Sequence, residues 1–263
     1  MKPYHIVYFS HGGGPLPLLG DVSHQAMIEF MRDLPGKLIK PAQIVVISAH
    51  WEEPKPTLLG SDKPPMFYDY YGFPQEAYQI DYPAEGDPAL AERLVKILAE
   101  HHIDSQLDPV RGFDHGLFIP LSLMYPKADI PAIQLSLVRG LDPQAHLALG
   151  EALHSLAQEN TLVIGSGFSF HNMQAFDWRG GQNPDPLNDA FQDWLIETCA
   201  QENDYAKIRA GLVNWEKAPG ARYCHPREEH LLPMLVCAGI AQKAGEVVFD
   251  DTILGKRGIA LAW

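Results

Sequence analysis

Gln43-Ile44-Val45-Val46-Ile47-Ser48-Ala49-His50-Trp51 decides how this chain folds. Its first residues are an almost unbroken apolar, β-branched run, with no alternation of polar and apolar positions. Such a run reads as a strand buried on both faces, which requires helices above and below it. Working outward, Ile6-Val7-Tyr8-Phe9, Ala132 to Leu137 and Thr161 to Ile164 have the same character. Val247-Val248-Phe249 and Ile259-Ala260-Leu261 read as a hairpin closing one edge. Between these runs lie helical patterns. Asp87-Pro88 and Asp142-Pro143 each place a capping carboxylate before a proline at the first helical position. The first of these helices reaches about Glu100, and the second sets Ala145, Leu149, Leu153 and Leu156 on one face. Asp185 to Cys199 and Glu228 to Ala241 are two more. Strands separated by helices imply βαβ crossovers. The expectation is an α/β fold: a single domain over residues 1–263, with a central, mostly parallel (mixed) sheet flanked by helices on both faces.

Composition narrows the function. With 263 residues and 46% hydrophobic content, the chain can bury a sizeable core. A net charge of −13 gains nothing from counterion release on nucleic acid and is repelled by an anionic membrane, so a small molecule is the expected partner. The start, Met1-Lys2-Pro3-Tyr4-His5, leads into too short an apolar run for a secretory signal. Three cysteines, Cys199, Cys224 and Cys237, fit neither a disulfide framework nor a zinc knuckle, which points to a reducing cytoplasm. Cys237 reads as packing; Cys224, beside His225, is weighed as a reactive thiol against a structural role. The segment Glu52 to Glu85, rich in proline, glycine and tyrosine, is the long irregular stretch, and loops of that length in a compact domain carry function.

Twelve histidines are present, and their positions are informative. His11 follows the first strand in Ser10-His11-Gly12-Gly13-Gly14, His50 follows the second, and His171 follows the fourth. His115 lies in the turn Gly112-Phe113-Asp114-His115-Gly116. Ligands of open parallel sheets bind outside the carboxyl ends of the strands. One histidine at a strand end is ordinarily a hydrogen-bonded loop residue; three behind three parallel strands converge on one edge. His230, in Glu228-Glu229-His230-Leu231-Leu232-Pro233, is read as the first inward residue of a helix, where a polar side chain needs a partner. The two glutamates there are explained as favourable charges at a helix start. His146 and His154 are read as solvated helix positions, and His24 as part of the helix that follows it. Neutral imidazoles suit zinc, iron, copper and nickel. Open positions on such a site serve either hydrolysis by a zinc-bound hydroxide or O2 chemistry at ferrous iron, and composition leaves both open.

The motifs together resemble the class III extradiol ring-cleaving dioxygenases, specifically the 4,5-DOPA extradiol dioxygenase branch. The resemblance rests on the first strand with His11-Gly12, Ser48-Ala49-His50-Trp51, Gly72-Phe73-Pro74-Gln75 and Gly112-Phe113-Asp114-His115-Gly116. It continues through Ile130-Pro131 before Gln134-Leu135-Ser136, then Gly165-Ser166-Gly167 with His171-Asn172, and ends in Glu229-His230-Leu231-Leu232-Pro233. It implies His11, His50 and His230 as metal ligands, with Glu228 and Glu229 as the fallback for the third. It implies His171 as a further ligand or an acid–base residue, and His115 as the histidine that handles a substrate proton. It implies Fe(2+) for activity, with Zn(2+) able to occupy the same site, and a small catechol plus O2 as reactants. Departures from the pattern, Gly13, Phe168, Phe170 and the tyrosines of Phe67 to Tyr71, fall at expected pocket positions and bear on the substrate rather than on the chemistry. Trp51 is read either as a stacking platform or as packing. A zinc-dependent hydrolase or amidase on the same scaffold, and a non-catalytic peptide-binding relative, are the alternatives. A homo-oligomer is left open.

Overall fold

The computed structural model describes residues 3–178 and 183–263. Met1 and Lys2, part of the chain start read above, lie outside them. The strands are β1 (Ile6–Ser10), β2 (Gln43–Glu53), β3 (Thr57–Leu59), β4 (Gln106–Asp108), β5 (Ala132–Val138), β6 (Thr161–Gly167), β7 (Glu246–Ile253) and β8 (Lys256–Ala262). They form one eight-stranded sheet in the order β4-β3-β5-β2-β6-β1-β8-β7. The middle four strands, β5, β2, β6 and β1, run parallel, and β7 and β8 close one edge as an antiparallel hairpin. The fully buried runs that marked the strands are therefore the centre of a mixed sheet, as expected from their composition.

The helices are α1 (Gln25–Asp33), α2 (Pro88–Glu100), α3 (His115–Met124), α4 (Pro143–Ala152), α5 (Pro186–Ile196), α6 (Tyr205–Val213), α7 (Ala221–Cys224) and α8 (Leu232–Ala241). The Asp-Pro starts of α2, α4 and α5 are capped as their sequences specify, with Asp87, Asp142 and Asp185 each accepting a backbone N–H. Both faces of the sheet are covered. A Cβ on Gly165 or Gly167 would strike the backbone of Pro233 or His230, so these positions face the segment leading into α8. Ser166, between them, turns the other way and donates to Gly116 O at the start of α3. Strand alternation thus places α8 and α3 on opposite faces of β6. Every residue of α8 is buried, which explains why it is apolar all round rather than striped.

Several expectations need correcting. Helix α8 begins at Leu232, four residues later than expected, so Glu228 and Glu229 do not occupy its first turn and His230 lies in the turn before it. His115 is the first residue of α3 rather than a turn residue, because Asp114 takes the N-cap position. His146 is buried, not solvated: Nδ1–H donates to Asp142 O at 2.8 Å, and Nε2 accepts from Val138 N at 3.1 Å. His154 is half-buried against Ile240 O. The long stretch Glu52 to Glu85 contains β3 and a 3-10 turn, Gln75–Gln79. Strand β2 does not end before His50. It bulges there, five residues of β2 advancing against two of β5 between Ile47 and Glu52. The bulge re-aims the strand at His50.

A histidine-lined candidate metal centre

The parallel strands deliver the histidines to one edge. His11 leaves the end of β1, His50 sits on the bulge of β2, His171 follows β6, and His230 precedes α8. One ring nitrogen from each of His11, His50 and His230 lies within 4.8 Å of the others. His50 Nε2 is 2.8 Å from His11 Nε2, a spacing that a shared ion with bonds of about 2.1 Å accommodates. Two of the three outer nitrogens have fixed acceptors. His11 Nδ1–H donates to Ser166 Oγ at 2.9 Å, and the Ser166 hydroxyl in turn donates a hydrogen bond to Gly116 O. His230 Nδ1–H donates to Glu229 Oε1 at 3.0 Å. These bonds select the tautomer whose Nε2 lone pair is free, the arrangement in which histidine binds a metal. Burial, reinforced by the neighbouring imidazoles, pushes all three rings well below the ordinary imidazole pKa. They are therefore neutral and able to ligate at pH 7. A cluster of buried neutral imidazoles fits a borderline divalent ion such as zinc or iron.

His171 stacks on His230, with ring centroids 3.4 Å apart and planes 17° from parallel. Its Nδ1 donates to the same Glu229 oxygen at 2.9 Å, so one carboxylate orients both rings. Burial alone would raise the Glu229 pKa, but the bond and charge of His171, together with a backbone hydrogen bond and Arg227, outweigh it and hold the group ionised. Glu229 is thus an orienting acceptor, not a helix-start charge. Together with His171 and His230 it also forms a second group of possible ligands.

His115 faces the cluster from the opposite element, its ring centroid 3.9 Å from that of His50. Asp69 Oδ1 accepts both the His115 ring Nδ1–H, at 2.7 Å, and its backbone N–H, at 3.1 Å. The other Asp69 oxygen lies 3.7 Å from His50 Nδ1. Asp69 went unrecognised in the sequence because it sits among tyrosines in an irregular stretch, 46 residues from the histidine it orients. Its carboxyl is raised by burial but lowered more by His115 and His50, so it stays anionic. Beneath it, the fully buried Asp114 accepts from Ser48 Oγ at 2.8 Å and Arg111 Nη2 at 2.9 Å. Arg111 lies over the Trp51 ring at 4.6 Å, so Trp51 is packing, 2% exposed and outside the cavity. These groups fasten the β2 bulge to the start of α3.

A cavity of about 400 Å3 opens above the imidazoles. His11, His50, His115, His171 and His230 reach into it, with Asp69 as its carboxylate. Gly12, Gly13 and Gly14 line it on one side, and His24 supports them by accepting from Gly13 N at 2.9 Å. Of the positions expected near the pocket, Gly13, Phe168, Tyr70 and Tyr71 line it; Phe67, Tyr68 and Phe170 do not. His225 and Cys224 lie apart. His225 is buried with Nε2 on Ser169 O, and Cys224 is a free, buried thiol whose pKa is raised by burial, which leaves it inert.

Residues 20–258 match the family of the catalytic LigB subunit of aromatic ring-opening dioxygenase. The chain is 39% identical to dioxygenase tasH of Hapsidospora irregularis, covering 95% of this chain and 82% of that protein. It is 40% identical to a 4,5-DOPA dioxygenase extradiol of Portulaca grandiflora, over 84% of this chain and 82% of that one. The crystal structure of an uncharacterized protein from Escherichia coli K12 superposes with a TM-score of 0.77 at 29% identity, covering 98% of both chains. The chain belongs to the LigB family of aromatic ring-opening dioxygenases. Within that family it is an extradiol dioxygenase, a metal-dependent enzyme acting on an aromatic substrate and O2, and the zinc hydrolase alternative is not favoured. Among the described residues no helix is long and apolar enough to cross a membrane.

Proposed function

We propose that residues 1–263 form one catalytic domain in which His11, His50 and His230 hold the catalytic ion, ferrous iron in turnover, with zinc able to occupy the same nitrogens. The observation that carries this is the convergence of three neutral imidazoles at the base of a cavity with His115 facing them. The substrate is a small catechol, DOPA-like or otherwise. When bound, the ion supplies a positive charge that acidifies the catechol hydroxyls and a position at which O2 meets the ring. The chain's own residues do the rest. His115, its Nδ1–H tied to Asp69, presents Nε2 to the cavity and accepts a hydroxyl proton. His171, locked on Glu229 and stacked on His230, serves either as a further ligand or as a second acid–base group on the other flank. Aromatic side chains around the cavity exclude water and hold the ring in place. Both atoms of O2 enter the ring-opened product, so no external reductant is consumed. Three unpaired buried cysteines support residence in a reducing cytoplasm.

The test is anaerobic loading with ferrous iron, addition of a catechol panel, admission of air, and simultaneous recording of O2 uptake and of the yellow ring-opened product. Uptake matched to product supports the reading. Absence of uptake with every catechol overturns it.

A further inference from the structure

The cavity is larger than its chemistry requires. At about 400 Å3 it falls within the range of roughly 300–1,000 Å3 that takes a drug-sized ligand, more than a lone catechol ring fills. The additional space is lined on one side by Phe168, Phe176, Trp178 and Leu254, and on the other by Tyr70 and Phe73. Phe176 packs on Phe168 and Trp178 with centroids 5.6 and 5.5 Å away, and Tyr70 on Phe73 at 5.5 Å. Between these two walls runs the glycine loop. A Cβ on Gly13 would come within 3.2 Å of Leu254 Cδ1 and 3.4 Å of Trp178, and a Cβ on Gly14 within 3.3 Å of Phe73. Side chains there would occupy the space at the foot of both walls.

Leu254 is the telling residue. It forms the tip of the β7–β8 hairpin with Gly255, at φ +52° and +75°. Two-residue hairpin turns with both φ positive favour asparagine, aspartate and glycine, and a γ-branched apolar residue is disfavoured there. Leu254 nevertheless occupies the position and is 1% exposed. Its backbone is held by Ser23 O and by Asp177 N. A disfavoured residue at a turn whose side chain also lines a cavity fits a binding role. Among the described residues, no lysine or arginine lines the cavity.

We infer that the cavity contains, beside the imidazoles, a subsite for an uncharged, flat or branched apolar substituent, so that the substrate is a catechol bearing an aryl or alkyl group that lies against Gly13 and Gly14 between the two walls. This rests on the catechol reading of the same site and adds its substituent. Among the described residues, the two walls offer no charged partner to a zwitterionic side chain such as that of DOPA.

The experiment measures binding, not turnover. The zinc-loaded protein is titrated by calorimetry with catechol, 4-phenylcatechol and DOPA, in the wild type and in Leu254→Asn. Asparagine suits the turn, so the variant keeps its fold, checked by a cooperative thermal transition and an unchanged zinc content, while losing the apolar wall. In the wild type, 4-phenylcatechol is expected to bind at least about tenfold tighter than catechol, and DOPA no tighter than catechol. In Leu254→Asn the phenylcatechol-to-catechol ratio is expected to fall at least about threefold. DOPA binding tighter than 4-phenylcatechol, or a ratio unchanged in Leu254→Asn, overturns the subsite and leaves the catechol reading intact. Binding of no catechol at all overturns both.

Discussion

The imidazole bed and the aromatic wall face each other across one cavity and are built on opposite principles. The bed stands in or near the ends of regular elements: His11 directly after β1, His50 on the bulge of β2, His115 at the start of α3 and His230 two residues before α8, with His171 alone in the segment after β6. Most of its rings have a named acceptor, Ser166 for His11, Glu229 for His171 and His230, and Asp69 for His115. The wall stands on loops, the segment after β6, the tip of the β7–β8 hairpin and the irregular stretch around Tyr70, and it is held by ring packing. Chemistry tolerates displacements of only fractions of an ångström, so most of these rings sit at strand and helix ends and are braced by hydrogen bonds. Substrate choice needs only shape and polarity, which loops can vary without disturbing the sheet.

The comparison breaks first at the bed. His11→Ala, His50→Ala and His230→Ala are each expected to lose bound metal on purification and to show turnover at background. Full metal content in all three, by elemental analysis, would place the ion elsewhere. His115→Ala is expected to retain metal while kcat falls about 10²–10⁴-fold, the range of a lost general acid–base. Near-wild-type turnover in that variant would remove His115 from the proton transfer. Asp69→Asn should cost about 10–100-fold, the usual effect of removing an orienting partner. Loss no greater than that of an exposed control such as Asp62→Asn would reduce Asp69 to packing.

A smaller effect is expected beneath the bed. Burial is the main force pushing the His225 imidazole down, to about 3, so it is neutral when folded and gains a proton near pH 6.5 when unfolded. Between about pH 6.5 and 3 the unfolded state binds the extra proton, so His225 withdraws stability as pH falls, up to about 4–5 kcal/mol over the whole window. Above pH 6.5 it contributes no slope. His225→Gln should therefore flatten the decline of Tm between pH 6.5 and 4.5; parallel curves would show that this histidine does not govern it. The subtlest change is the shift of ligand preference in Leu254→Asn, which leaves the bed untouched and alters only the wall.

Much of the bed was legible in the sequence and little of its bracing was. His11, His50 and His171 stood out because each follows a run of buried β-branched residues, and parallel strands bring such positions to one edge. His230 stood out for the wrong local reason: it was read into a helix that starts at Leu232, and its partner Glu229 was assigned to the helix dipole. Asp69 gave no sign, and Ser166 stood in a quoted motif without its role as the acceptor for His11, since a single carboxylate or hydroxyl has no periodicity to detect. His146 was misplaced because helical spacing says which residues share a face, but not which face a neighbouring strand covers.

By itself, then, the sequence determined the layered α/β architecture, the edge of the sheet where the histidines gather and their identities. It could do so because buried strands, Asp-Pro caps and glycine turns are local signals with local physical causes. Only the tertiary structure decided which nitrogen of each imidazole is free, which carboxylate orients which ring, and what lines the cavity. Those depend on contacts between residues tens to hundreds of positions apart, such as His115 with Asp69 or Gly13 with Leu254. No local pattern encodes such pairs; they exist only once the chain has packed.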